Sequence, residues 1–355
     1  MSDLMLPINL IREQDIAPLI NTRPGESKIG EVIGLASQFG DTFPFATALD
    51  ADNINTRFQF ALIGVPEDIG PRGNHGQPGA RGAWKAFLSY FLNLQANEYL
   101  PGNNILLLGN VECDDLHELV QSQDNTIEAL RHACAELDKR VVSVLQEVFQ
   151  AGLIPIVIGG GHNNAFPIIQ ACSITRGMPL AVSNLDPHSD FRAEEGRHSG
   201  NPFRYAQSSG YLERYAVLGL HEQKNNQASL DALSALKFPW FSIQQTHWSN
   251  SHNFDQCLEQ IAKYMLESGL PVGVELDLDA ISNMPSSAIT AAGISLQDAL
   301  YYVSQMAALP SVQYLHLAEG APEKHTNGIA EGNRIVGQSI CELVSIFIKS
   351  VTQQA

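Results

Sequence analysis

The chain is short of positive charge. Of its 355 residues, 21 are Lys or Arg against 38 Asp or Glu, a formal net charge of −17. Such a surface repels phosphate backbones and anionic lipid, so no nucleic-acid or membrane partner is expected. Cysteine is sparse: Cys113, Cys134, Cys172, Cys257 and Cys341 are far apart, odd in number and form no C-x-x-C pair. That argues against a disulfide framework or a zinc finger and for a reducing compartment. The opening MSDLMLPINLIREQD has no basic stretch followed by an apolar one, and no run of about 18 apolar residues follows. Charged residues are only 17%, against 44% hydrophobic, enough apolar material for a sizeable core and too much for a disordered chain. These absences predict a soluble, cytoplasmic protein.

What is present is an alternation. Residues 1–55 are weakly periodic and read as an N-terminal arm with short helices; residues 56–355 read as one α/β domain, since no composition break divides them. Short apolar runs rich in β-branched residues occur at Phe58 to Val65, Ile105 to Leu108, Ile154 to Ile158, Leu180 to Leu185, Tyr215 to Leu220, Val272 to Leu278 and Tyr314 to Leu317. Between them lie helical patterns, clearest at Thr126 to Gln150, with others near Phe254 to Glu267, Leu296 to Met306 and Asn333 to Lys349. Continuous apolar strands alternating with helices predict a mainly parallel sheet covered on both faces, whose ligands bind beyond the carboxyl ends of the strands.

Three of those ends carry unusual chemistry. PIVIGGGHNN closes a strand with three glycines and then His162; alone this is a weak signal, because such a histidine is more often a loop residue than a ligand. In SNLDPHSDFR, Asp186, His188 and Asp190 alternate and point to one side if the chain stays extended. In GVELDLDAIS, Glu275, Asp277 and Asp279 alternate with Val274, Leu276 and Leu278. Each row has a plain alternative, a hydrogen-bonded polar turn or a solvated edge strand. Together, His162, Asp186, His188, Asp190, Asp277 and Asp279 form an oxygen-rich set with two imidazoles, which suits Mn²⁺ better than structural zinc. Four carboxylates exceed the need of one ion and suit a pair about 3.5–4 Å apart, an arrangement that turns water into hydroxide near neutral pH.

At this point the sequence resembles the ureohydrolases: arginases, agmatinases and formimidoylglutamases. The motifs that carry the resemblance are GGGH (Gly159 to His162), DPHSD (Asp186 to Asp190), DLD (Asp277 to Asp279), the E-x-x-P of AEGAP (Glu319 to Pro322) and the N-x-G-x-x-G-A stretch at Asn74 to Ala80. The resemblance implies a three-layer α/β/α fold around an eight-stranded, mainly parallel sheet, two Mn²⁺ ions per subunit, and a homo-oligomer, trimer or hexamer. By motif, His162 and Asp190 would hold the first ion, His188 and Asp279 the second, and Asp186 and Asp277 would bridge them. Fe²⁺, Co²⁺ or Ni²⁺ could take the same ligands. Glu319 matches the acid that pairs with the amidine or guanidine group of the substrate. His198 lies near the family's proton-shuttle histidine, although aligning SGNPF puts that slot on Ser199.

The chain departs from the general family pattern in showing GGGH for GGDH, which formimidoylglutamases also show, in NNAFP after it, in Glu275, and in Ile281, Ser282 and Asn283 where D-P is usual. The substrate is read from Arg192, two residues beyond Asp190, where arginases carry Asn and formimidoylglutamases Arg. Arg197 is nearby, and Lys224 stands where arginases have an acid. A guanidinium is built for carboxylate, so Arg192 favours N-formimino-L-glutamate, cleaved at its amidine C–N bond to glutamate and formamide, a step in histidine breakdown. In that reaction a hydroxide held by Asp190 attacks the amidine carbon while Glu319 fixes the amidinium. An ion pair from Arg192 to Glu194 or Glu195 is the plain alternative. The rival readings are an arginase or other guanidino-acid hydrolase releasing urea, and a catalytically silent metal-binding homologue.

Overall fold

The computed structural model describes residues 6–40, 57–249 and 251–353. Its strands are β1 (Ile8–Leu10), β2 (Gly34–Leu35), β3 (Phe60–Gly64), β4 (Ile105–Val111), β5 (Ile154–Ile158), β6 (Leu180–Leu185), β7 (Leu212–Leu220), β8 (Trp240–Ser242), β9 (Val272–Asp277) and β10 (Val312–Ala318). They form one ten-stranded sheet in the order β1-β4-β3-β5-β10-β9-β6-β7-β8, with β2 also pairing β4. Each of the seven apolar runs holds a strand, and β5 and β6 keep the limits read from the sequence.

The eight strands β3 to β10 are all parallel to one another. The count of ten, against the expected eight, comes from the first forty residues: β1 runs antiparallel to β4 and β2 parallel to it. That segment therefore does more than carry short helices. It closes one edge of the sheet. The rest of the expected arm, residues 1–5 and 41–55, lies outside the described residues.

Alternation along the strands sorts side chains to two faces. Phe60, Leu62, Ile105, Leu107, Ile156 and Ile158 join one buried cluster with helices Ala83–Phe91, Phe254–Leu266, Leu296–Ala307 and Ile329–Thr352. Ala61, Ile63, Leu106, Leu108 and Val157 face the opposite cluster, under helices Asp114–Ser122, Ile127–Gln150 and Ala165–Arg176. Helix Ile329–Thr352 is long and apolar enough to cross a membrane by length and composition, but 56% of its most apolar window is buried, and Val336, Ile340, Val344 and Phe347 pack into the core. All five cysteines are free and buried. The strands β5, β10, β9 and β6 are adjacent and parallel, so their carboxyl ends open side by side.

Candidate active site

Each of those four ends delivers an ionisable group. After β5, Gly159 and Gly160 turn with positive φ (85° and 71°) and pass the chain to His162. A Cβ on Gly160 would lie 2.4 Å from Asn164 Nδ2 and 2.8 Å from Glu67 Oε1, so only glycine lets the loop close over these groups. After β6 come Asp186, His188 and Asp190; Asp277 ends β9, with Asp279 in the turn beyond; Glu319 follows β10. Asp190 and Glu319 both have positive φ (45° and 65°), a conformation that non-glycine residues hold only where the surroundings impose it.

Two ligand groups share one acid. His162 Nδ1 lies 3.0 Å from Asp186 Oδ2, 3.0 Å from Asp190 Oδ2 and 3.4 Å from Asp277 Oδ2. Beside it, His188 Nδ1 lies 3.5 Å from Asp186 Oδ1 and 3.3 Å from Asp279 Oδ2. Each group is compact enough to hold a metal ion, and Asp186 belongs to both. Both ring nitrogens of His162 and Oδ1 of Asp279 are buried without a hydrogen-bond partner of good geometry. Buried nitrogen and oxygen lone pairs left unanswered in a cluster of acids fit a pair of divalent cations. All six residues read as ligands from the sequence thus meet in one place.

Charge explains why a cation belongs there. Burial and the neighbouring Asp186 push Asp190 up to about 6. Burial, with Asp279 and Asp186 close by, raises Asp277 well above the carboxylate range. Burial lifts Glu319 to about 8, against hydrogen bonds from Ser287 and the His162 amide that favour the charged form. Burial alone would also raise Asp186, but His162 and His188 hold it well below the usual range. His162 and His188 are in turn raised, their desolvation outweighed by the surrounding carboxylates. These carboxylates repel one another unless positive charge sits between them.

The supporting contacts are specific. Glu319 Oε1 accepts the His162 backbone N–H at 2.9 Å and Oε2 accepts the Ser287 hydroxyl at 2.6 Å. Asp186 Oδ1 accepts the His188 N–H at 2.6 Å and Asp277 Oδ1 the Asp279 N–H at 2.8 Å. Tyr215 donates to the Ser189 carbonyl at 2.9 Å and Asn225 accepts the Ser189 N–H at 2.7 Å, which fixes the DPHSD turn. Beneath the GGGH loop lies fully buried Glu67, a residue the sequence reading passed over. Its Oε1 accepts from Gly161 N and Asn164 Nδ2, both at 2.7 Å, and its Oε2 from Ile69 N at 2.6 Å and Gly70 N at 3.1 Å. The available signal was the acid pair Glu67–Asp68 just beyond an apolar run.

The pocket above the acids is lined by His188, Asp190, Arg192, Ser199, Lys224, Asp277, Asp279, Ser287 and Glu319 among others. Arg192 is there and also pairs with Glu195 at 3.1 Å, the alternative partner foreseen for it. Arg197 is not: it is buried against Asp138 (2.8 Å), donates to the Asn163 carbonyl (2.8 Å) and stacks on Phe166 and Tyr205. His198 departs from expectation. It is fully buried off the pocket wall, its Nε2 3.2 Å from Glu195 and 3.0 Å from Asn201 Nδ2, while Nδ1 accepts the Gly200 N–H at 3.1 Å. Burial, followed by the positive charge of Arg131, pushes its pKa down to about 4. The contacts to Glu195, Gly200 and Asn201 turn the His198 ring inward at the start of a turn, and its neighbour Ser199 lies on the wall instead.

A model of the arginase family matches residues 58–342. The chain belongs to the arginase family. It is 29% identical over 237 residues to a formimidoylglutamase of Chromobacterium violaceum, covering 65% of this chain and 69% of that one. A Hahella chejuensis formimidoylglutamase is 32% identical over 197 residues, and the match spans about half of each chain (53% and 54%). Among solved structures, formimidoylglutamase from Bacillus subtilis superposes with a TM-score of 0.71 at 16% identity, covering 94% of both chains. Trypanosoma cruzi formiminoglutamase with Mn²⁺ gives 0.67 at 18% identity, covering 92% of this chain and 98% of that one. At such identities the superpositions speak for the fold: an α/β member of this family with a central, mostly parallel sheet.

Proposed function

We propose that this member of the arginase family is a dimanganese formimidoylglutamase, hydrolysing N-formimino-L-glutamate to L-glutamate and formamide. The observation that carries the reading is the polarity of the pocket: a floor of acids that share Asp186, and a wall that holds Arg192 and Lys224. His162, Asp190, Asp186 and Asp277 would hold one ion, and His188, Asp279, Asp186 and Asp277 the other. A bound Mn²⁺ pair supplies a nucleophile from water at neutral pH and positive charge for the tetrahedral state.

The chain's own residues do the rest. Glu319, held by Ser287 and the His162 amide, faces the amidinium and orients it; the approaching cation keeps its carboxylate ionised despite burial. Asp190 takes the proton of the attacking water and returns it to the leaving nitrogen. Arg192 and Lys224 take the substrate carboxylates. The Arg192–Glu195 pair has side chains 47% and 39% exposed, so giving it up costs only about 0–1 kcal/mol. A charge-assisted contact to a carboxylate, worth about 1.5–3 kcal/mol, outweighs that. Two cations on the wall oppose a doubly cationic guanidine.

Support also comes from the named relatives, which are formimidoylglutamases, and from the Mn²⁺ of the Trypanosoma cruzi protein. The homo-oligomeric state and a cytoplasmic location belong to the same proposal. So does the division into an N-terminal arm and one catalytic domain. Product analysis tests the reaction class: equimolar glutamate and formamide are expected, whereas ammonia with a formylated product would mean that the other C–N bond is cut.

A further inference from the structure

The GGGH histidine has two faces. Its Nδ1 meets the aspartates, and its Nε2 lies 3.4 Å from Glu275 Oε2. Glu275 is the acid on β9 that departs from the family pattern. It is fully buried, in register with His316 of β10. Its Oε2 lies 2.7 Å from His316 Nδ1, and its Oε1 accepts the Tyr314 hydroxyl at 2.8 Å. Its backbone carbonyl accepts the Tyr302 hydroxyl at 3.1 Å. Space for the Tyr314 ring is made by Gly273, where a Cβ would lie 2.4 Å from the hydroxyl. Nothing in this cluster reaches the pocket, so the substrate cannot be what it serves.

We infer that Glu275, steadied by His316 and Tyr314, is a positioning residue that keeps the proton of His162 on Nε2 and so leaves Nδ1 bare for a metal ion. A neutral imidazole carries one proton, and the hydrogen bond at one nitrogen decides which nitrogen is free to ligate. At Nε2 the Glu275 carboxylate lies 3.4 Å away, short of a well-formed hydrogen bond, so its hold on the proton is chiefly electrostatic. On the Nδ1 side, three aspartates would otherwise draw the proton and block the ligand atom. Burial of both Glu275 and His162 strengthens the attraction at Nε2, because charges are screened less in the interior. The Tyr314 and His316 contacts hold the carboxylate on the Nε2 side of the His162 ring.

The inference rests on the metal assignment proposed above, and the test separates the two. Mn²⁺ binding is measured by equilibrium dialysis and by the spin-coupled signal of an ion pair in wild type, His162→Ala, Glu275→Gln and Glu275→Asp. Ring nitrogen shifts of His162 are read in ¹⁵N-histidine-labelled, metal-free protein, titrated to a pH at which the ring has lost its second proton and is neutral. Glu275→Gln is expected to weaken one of two ions about 10–100-fold, leave the other near wild-type affinity, abolish the pair signal, and shift the His162 tautomer toward Nδ1–H. Glu275→Asp keeps the charge and should fall between. If His162→Ala binds both ions as wild type does, the metal assignment is wrong. If His162→Ala loses an ion while both Glu275 variants bind two with unchanged affinity and tautomer, the inference is wrong. Equal weakening of both ions would make Glu275 a packing residue and also overturn it.

Discussion

Glu67→Gln is a perturbation whose size follows from the structure. The carboxylate answers four buried donors, two at each oxygen: Gly161 N and Asn164 Nδ2 at one, Ile69 N and Gly70 N at the other. Glutamine keeps one acceptor oxygen and turns an NH₂ toward the remaining two donors. Two buried N–H groups then lose their acceptor, at about 1–3 kcal/mol each, so the loss is about 2–6 kcal/mol. Part of it is local, because the donors hold the loop that delivers His162 and the turn before Pro71. Urea unfolding of the metal-free protein reads the global loss as a shift in midpoint at constant slope. Titration with Mn²⁺ should show one ion weakened about tenfold or more. A stability loss under about 1 kcal/mol with unchanged Mn²⁺ binding would refute the view that Glu67 props the loop.

Other expectations follow from the same geometry. Asp186 is shared by both ligand groups, so Asp186→Asn should lower bound Mn²⁺ from two per chain to less than one by metal analysis, whereas Asp279→Asn should remove one. Arg192→Ala and Lys224→Ala should each raise KM for a dicarboxylate substrate about tenfold, the worth of roughly 1.4 kcal/mol, with kcat nearly unchanged; equal KM values would make both side chains structural. His198→Ala should cost stability and leave kcat within about threefold, because the ring is off the pocket wall; a fall of a hundredfold or more, about 2.7 kcal/mol, would restore it as the shuttle. His162, His188, Asp190 and Asp277 have raised pKa values without an ion, so at a given pH they hold protons that Mn²⁺ must displace. Mn²⁺ affinity should therefore rise from pH 6 to 8 with net proton release, measured by calorimetry in buffers of different ionisation enthalpy.

The parallel core was legible because strands buried on both faces must be apolar throughout. Each of the seven such runs holds a strand, and the ligand residues stood out as charges at the ends of those runs. The edge strands were not legible. Ile8–Leu10, Gly34–Leu35 and Trp240–Ser242 are two or three residues long and only partly apolar, and their pairing depends on partners far away in sequence. Glu275 read as the first of three alternating carboxylates, yet its partners are His162, His316 and Tyr314, because β10 and the GGGH loop close over it. His198 shows the other limit: its ring turns inward while its neighbour Ser199 lies on the wall, and composition does not choose between the two. Arg197 read as a charge near the site, but Asp138 on helix Ile127–Gln150 draws it into the interior.

The central claim is that the pocket takes an amidine at its acidic floor and carboxylates at Arg192 and Lys224. The most direct test is kcat/KM of Mn²⁺-loaded protein on N-formimino-L-glutamate, L-arginine and agmatine in parallel, scored by glutamate, ornithine and putrescine. Turnover of N-formimino-L-glutamate, with arginine and agmatine slower by a thousandfold or more (about 4 kcal/mol), is the predicted result. Preferred turnover of arginine or agmatine would contradict it and leave Arg192 as a partner of Glu195 only.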